Sequence, residues 1–189
     1  MRLTERAHDY LSRQLRPGDR ALDATAGNGH DSLYMAKRVG PKGHLIAIDI
    51  QPAAIRTTRR RLQVEDCCYQ TELLVADHSQ ALPSLYLQYP QAFRAIIFNL
   101  GYLPGSDKRI QTEVHSTIGA LNAAKGLLIP DGLLLVTAYR GHIGGQAEAR
   151  CIADWMQNLH AQAWSVKRHE PVSIGTQIPP VLWVARKID

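Results

Sequence analysis

The sequence predicts an α/β fold, a seven-stranded and mostly parallel sheet whose last strand runs antiparallel. Three observations carry this expectation. Short apolar runs rich in Leu, Ile, Val and Ala recur along the chain and read as strands buried on both faces. Helical segments alternate with them, and strand–helix–strand order implies right-handed crossovers and a parallel sheet. The last two runs have no helix between them. A parallel pair needs a crossover of about a dozen residues, so the final strand should turn back.

The elements follow in order. Residues 4–14 read as a helix with Thr4 at its N-cap, stopped by Pro17 and Gly18. "RALDAT" (20–25) is the first strand, followed by a helix from Asp31 to Arg38 and a turn at 39–43. "HLIAIDI" (44–50) is the second strand. Pro52 opens the next helix at a first-turn position, and it runs to Gln63 with Ile55 and Leu62 inward. Arg56, Arg59, Arg60 and Arg61 read as its solvated face. "TELLVAD" (71–77) and "FRAIIFNL" (93–100) are the third and fourth strands. Residues 109–126 form a helix with Gly126 at C′. "DGLLLVTAY" (131–139) is the fifth strand, and a helix spans 145–160. "AWSVKRHE" and "PVLWVARK" complete the sheet, joined by the loop 171–180.

At 189 residues the chain is expected to form one domain, 1–189, with residues 1–18 as a helical extension. No apolar run approaches the roughly 18 residues of a membrane span, and the polar N-terminus has no apolar segment typical of a secretory signal. Three cysteines, two of them adjacent (Cys67 and Cys68), make neither a disulfide framework nor a zinc spacing. These points suggest a cytoplasmic protein without a metal. The net charge of +5 favours a polyanionic partner.

In parallel sheets of this kind ligands bind beyond the carboxyl ends of the strands. "LDATAGNGHDS" (22–32) lies at such an end. Gly27 and Gly29 allow close backbone approach before a helix N-terminus, which favours negative charge. A dinucleotide fingerprint would place a third glycine where Ser32 stands. Asp23, four residues before Gly27, would repel a pyrophosphate and suit an ammonium group. Asp49, ending the second strand, can hold both ribose hydroxyls. Asp77 can accept from an adenine amino group, with His78 against the ring. An ammonium, a ribose and an adenine without a pyrophosphate describe S-adenosylmethionine.

The fourth strand runs into "NLGY" (Asn99 to Tyr102), similar to the N-P-P-Y motif of amine-nitrogen methyltransferases, with Leu100 and Gly101 in place of the prolines. In that motif the Asn side-chain oxygen and the following carbonyl accept N–H bonds, and the Tyr packs on the substrate ring. The other reading of Asn99 is a cap on a loop. A primary amine must lose a proton before it can attack, and Asp107, Tyr139 and His142 are placed in loops at the same face. Lys108, Arg109 and Arg140 could hold RNA phosphates or be solvated charges.

"DATAGNGHDS", "AIDIQ", "ADHS", "FNLGYLPGSDK", "YRGHIGG" and "QIPP" together resemble the bacterial YtqB-like family, long labelled rRNA methylases and since identified as tRNA 5-(aminomethyl)-2-thiouridine methyltransferases. The resemblance runs from about Leu22 to Lys187. It implies a single Rossmann-like class I methyltransferase domain, S-adenosylmethionine, and methylation of the aminomethyl nitrogen on wobble uridine 34. The partner would then be a tRNA anticodon stem-loop; so small a domain offers little surface for it, which makes a homodimer a candidate and leaves the oligomeric state open. The resemblance further implies a cofactor site of Asp23, Thr25, Gly27, Asn28, Gly29 and Asp31, completed by Asp49, Gln51, Asp77 and His78. It implies an acceptor site from Asn99 to Lys108, with catalytic roles for Asn99, Leu100 and Tyr102 and substrate contacts at Asp107 and Lys108; Tyr139, Arg140 and His142, by their place at the same face, are further candidate substrate contacts. Competing readings are methylation of rRNA or of a small amine, RNA binding with a relic turn, and a nicotinamide dehydrogenase. Asp23 and the missing third glycine count against the dehydrogenase.

Overall fold

The computed structural model describes residues 2–101, 112–162, 164–171 and 178–188. Seven strands form one sheet in the order β3-β2-β1-β4-β5-β7-β6. They are β1 (Arg20–Asp23), β2 (His44–Asp49), β3 (Thr71–Val75), β4 (Phe93–Leu100), β5 (Leu128–Ala138), β6 (Trp164–His169) and β7 (Val181–Lys187). The first five pair in parallel; β7 is antiparallel to both β5 and β6. The expected reversal of the last strand is therefore present. Its insertion between β5 and β6 goes beyond what a local pattern encodes.

Six helices cover the two faces: α1 (Leu3–Gln14), α2 (His30–Val39), α3 (Pro52–Val64), α4 (His78–Gln88), α5 (Val114–Leu127) and α6 (Gly145–His160). Alternation along the strands sorts the core into two layers. Leu22, Ile96, Phe98, Leu134 and Val136 pack with residues of α4, α5 and α6. Ala21, Ala95, Ile97, Leu133 and Leu135 pack with α1 and α2. Both faces of the central strands are covered, which is why β2, β4, β5 and β7 carry continuous apolar runs.

Three local readings change, and one helix is added. The cap of α1 is formed by Arg2, whose backbone N–H donates to Glu5 Oε2 at 2.9 Å, so Thr4 lies inside the first turn. Residues 1–18 are no mere extension, because Ala7, Leu11 and Leu15 of this segment are buried in the second layer. Helix α4 was not legible as a separate element, because Pro83 stands inside it. Gly126 lies within α5 rather than after it; a Cβ there would meet the Tyr86 ring of α4 at 2.5 Å, so close helix approach explains the glycine. The expected start of α5 at 109–111 lies outside the described residues.

Candidate active site

A cavity of about 560 Å³ opens beyond the carboxyl ends of β1, β2, β4 and β5. Its floor is the turn from β1 into α2. Gly27 and Gly29 both have positive φ, 53° and 75°. A Cβ on Gly29 would lie 2.8 Å from the Thr58 Cα, so glycine lets α2 start directly against α3. The turn is held from three sides. Gly27 N–H donates to Asp49 Oδ2 at 2.8 Å, Thr58 Oγ1 donates to the Gly27 carbonyl at 3.2 Å, and Arg61 Nε donates to the Asn28 carbonyl at 2.7 Å. Arg61 is thus part of the scaffold of the turn, not of a solvated face.

The acids separate into distinct environments. Asp49 accepts from Gly27 N–H and, through Oδ1, from Gln51 N–H at 2.9 Å, which fixes its carboxylate at the cavity wall. Asp77 caps α4 by accepting from Ser79 N–H at 2.7 Å and also lines the cavity. His78 lies beside it, edge-on to Phe98, with burial holding its pKa below the usual histidine value. Its Nε2 is buried without a hydrogen-bond partner among the described residues. Thr25, Asn28 and Gln51 also border the space.

Asp23 departs from expectation. It is only 1% exposed, its carboxylate accepts from Ser32 Oγ at 2.6 Å and Thr25 N–H at 3.2 Å, and it is not part of the cavity wall. Burial, with Asp31 nearby, pushes its pKa up to about 7. Asp31 is the acid of this turn that reaches the cavity, because its place in the first turn of α2 turns the side chain out of the sheet core.

Asn99 sits at the end of β4 in the cavity wall. Its N–H donates to Thr25 Oγ1 at 2.7 Å and its Nδ2 donates to Asp31 Oδ2 at 2.7 Å. The other oxygen of Asp31 meets His8 Nε2 at 2.6 Å. The expected role of Leu100 changes. Its side chain is fully buried, and its carbonyl accepts from Tyr139 N–H at 2.9 Å, so the sheet ladder already uses it. Tyr139, 43% exposed, stands at the mouth, where burial and then Asp31 raise its pKa. His142 lines the cavity, with Nδ1 3.1 Å from the Ile143 carbonyl. Arg140 is committed elsewhere. Its Nε donates to the Pro179 carbonyl at 2.7 Å and its guanidinium pairs with Glu170, so it anchors the rim rather than awaiting a phosphate. Tyr102, Asp107, Lys108 and Arg109 lie outside the described residues, as do 172–177 of the loop.

Sequence reasoning missed the contribution of α1. Thr4 lines the cavity and His8 reaches Asp31. The signal was present, since Thr4, His8, Leu11 and Leu15 recur at helical spacing on one face that also buries Leu11 and Leu15. Among the described residues no group of three or more His, Cys, Asp or Glu side chains is placed to hold a metal, and no helix is long and apolar enough to cross a membrane.

The family described as "Putative rRNA methylase" matches residues 45–186. A relative in Arabidopsis thaliana, "tRNA (mnm(5)s(2)U34)-methyltransferase, chloroplastic", is 34% identical over 172 residues. That match covers 85% of this chain, and the chain spans 61% of the plant protein's length. The fold closely matches a solved "putative rRNA-methylase" from Clostridium thermocellum, with a TM-score of 0.90, 31% identity, and 98% and 97% of the two chains covered. It also matches a "putative methyltransferase" from Streptococcus mutans "in complex with SAH", with a TM-score of 0.86, 28% identity, and 100% and 99% covered.

Proposed function

The chain belongs to the family described as "Putative rRNA methylase", and from that premise we propose that it transfers the methyl group of S-adenosylmethionine to the aminomethyl nitrogen of wobble uridine 34 in tRNA. The observation that carries this reading is Asn99, held at the end of β4 in one cavity with the glycine turn, Asp49 and Asp77. The name of the plant relative supports the substrate, and the complex of the Streptococcus mutans protein supports the cofactor.

The cavity suits this cofactor chemically. Asp49, oriented by two backbone N–H groups, retains lone pairs for two ribose hydroxyls. Asp77 and the partnerless His78 Nε2 suit the adenine. Asp31 replaces Asp23 as the carboxylate available to the ammonium. S-adenosylmethionine, when bound, supplies a sulfonium-activated methyl to an in-line nucleophile. Asn99 accepts an N–H bond from the amine and turns its lone pair inward. The amine must arrive there unprotonated, and Tyr139 and His142 line the space through which its proton would leave.

RNA as the partner fits the net charge of +5. A second groove adjoins the cavity, sharing Arg140 and Ile178 with it, and Arg150, Arg168 and Trp183 also line it. Arg168 lies over the Trp183 ring at 5.8 Å. Arginine beside an aromatic face is suited to a single-stranded loop.

The test is transfer in vitro. Purified protein and S-adenosylmethionine are incubated with tRNA carrying 5-aminomethyl-2-thiouridine, and the nucleosides are analysed by mass spectrometry. Conversion to 5-methylaminomethyl-2-thiouridine is expected. Methylation of rRNA alone, or of no nucleoside, would overturn the reading.

A further inference from the structure

We propose that His8 is a positioning residue of the acceptor site, acting through Asp31 to hold the Asn99 amide with its carbonyl oxygen turned to the incoming amine. The proposal rests on the reading of Asn99 as the acceptor contact. It concerns a residue that precedes the region matched by the family, which begins at residue 45.

The chain of contacts is continuous. His8 Nε2 lies 2.6 Å from Asp31 Oδ1, and Asn99 Nδ2 lies 2.7 Å from Asp31 Oδ2. An ionised carboxylate only accepts hydrogen bonds, so the end of the Asn99 amide that faces it is the NH2 group. The amide is planar, so Oδ1 then points away from Asp31. Asn99 lines the cavity, and its Oδ1 has no partner among the described residues. The backbone of Asn99 is fixed separately by its bond to Thr25 Oγ1. Side-chain orientation is the remaining freedom, and Asp31 removes it.

Asp31 must be held in turn. His8 and Asn99 donate to different oxygens of its carboxylate, which stops rotation about its terminal bond. The His8 ring is itself clamped. It stacks on Tyr34 with centroids 3.9 Å apart and planes 12° apart, and Tyr34 Oη donates to the His8 carbonyl at 3.0 Å. Asp31 and Tyr34 are three residues apart on α2, so one helix face receives the whole histidine. A tie serving only to dock α1 would not need to end on a carboxylate in the cavity wall.

Two variants separate the roles. His8→Phe keeps an aromatic ring for Tyr34 and removes the N–H donor, while His8→Gln keeps a donor. In the protein without substrate, side-chain amide proton exchange of Asn99 is read by NMR. In the same proteins, kcat on tRNA and the Kd for S-adenosylhomocysteine are measured. The expected result is faster Asn99 exchange in His8→Phe, kcat about tenfold lower, Kd within about twofold, and recovery of both exchange and kcat in His8→Gln. Asn99 exchange in His8→Phe equal to wild type would overturn the proposal whatever the substrate. So would equal losses of kcat and Tm in both variants, which describe packing alone, or a loss confined to cofactor Kd. Absence of transfer by the wild-type protein would sink the function proposed above, and the exchange measurement would still decide the role of His8.

Discussion

The residue with the most altered chemistry is Asp23, and its chemistry follows from burial rather than from a ligand. Its pKa rises from 3.8 to about 7, so the fold favours its protonated form. Its stabilising contribution is full below pH 3.8 and is lost as the pH rises through about 7. Asp23→Asn, uncharged throughout, should show a flatter dependence of Tm on pH across that window. Parallel Tm curves for the two proteins would contradict the shift. Asn99 makes a different kind of contribution, because its proposed bond is to the acceptor. Asn99→Ala should lower kcat about a hundredfold and leave the Kd for S-adenosylhomocysteine within about twofold. A variant with normal kcat and weak cofactor binding would assign Asn99 to the cofactor instead. Asp23, Asp49, Asp77 and Asn99 were all legible in the sequence, because strand-end position is a local property. The division of labour between Asp23 and Asp31 was not, since it depends on which way each side chain leaves its element.

At the scale of elements, legibility followed turn and breaker residues as well as apolar patterning. Strands β2, β4, β5 and β7 were found because each carries a short apolar run, whereas β6 carries only Trp164 and Val166 among polar residues. Helix α4 was missed because Pro83 stands inside it, whereas α5, with an equally weak apolar stripe and no proline, was found. Strand β5 begins three residues before its expected start, and the register between β4 and β5 shifts between Phe93 and Ala95. Asp131, at positive φ, lies in that irregular stretch and is tied down by Gln14 of α1 and Arg186 of β7. The junction of α2 and α3 is a tightly constrained contact near the site. Gly29 combines φ of 75° with a Cβ position 2.8 Å from the Thr58 backbone. Gly29→Ala should therefore cost about 2–4 kcal/mol in urea unfolding. A loss below about 0.5 kcal/mol would show that α3 gives way more readily than its packing suggests.

For the whole molecule, the arrangement of charge around the cavity bears on the partner. Arg140 and Arg168 share Glu170, whereas Arg150 is exposed and has no ion-pair partner among the described residues. Arg150→Glu should weaken tRNA binding and reduce the slope of log K against log salt by about 0.7 or more. An unchanged slope in filter binding would place the RNA elsewhere. By itself the sequence determined the layered sheet, the antiparallel last strand, the glycine turn and the acids at the strand ends. Each of these is written in a period of two or 3.6 residues, or in a backbone conformation only glycine adopts readily. Only the tertiary structure decided that β7 lies inside β6, that Asp31 and not Asp23 reaches the cavity, and that α1 supports the site. Residues 8, 31 and 99 meet through long-range packing of three elements against one another, and no local periodicity carries that information.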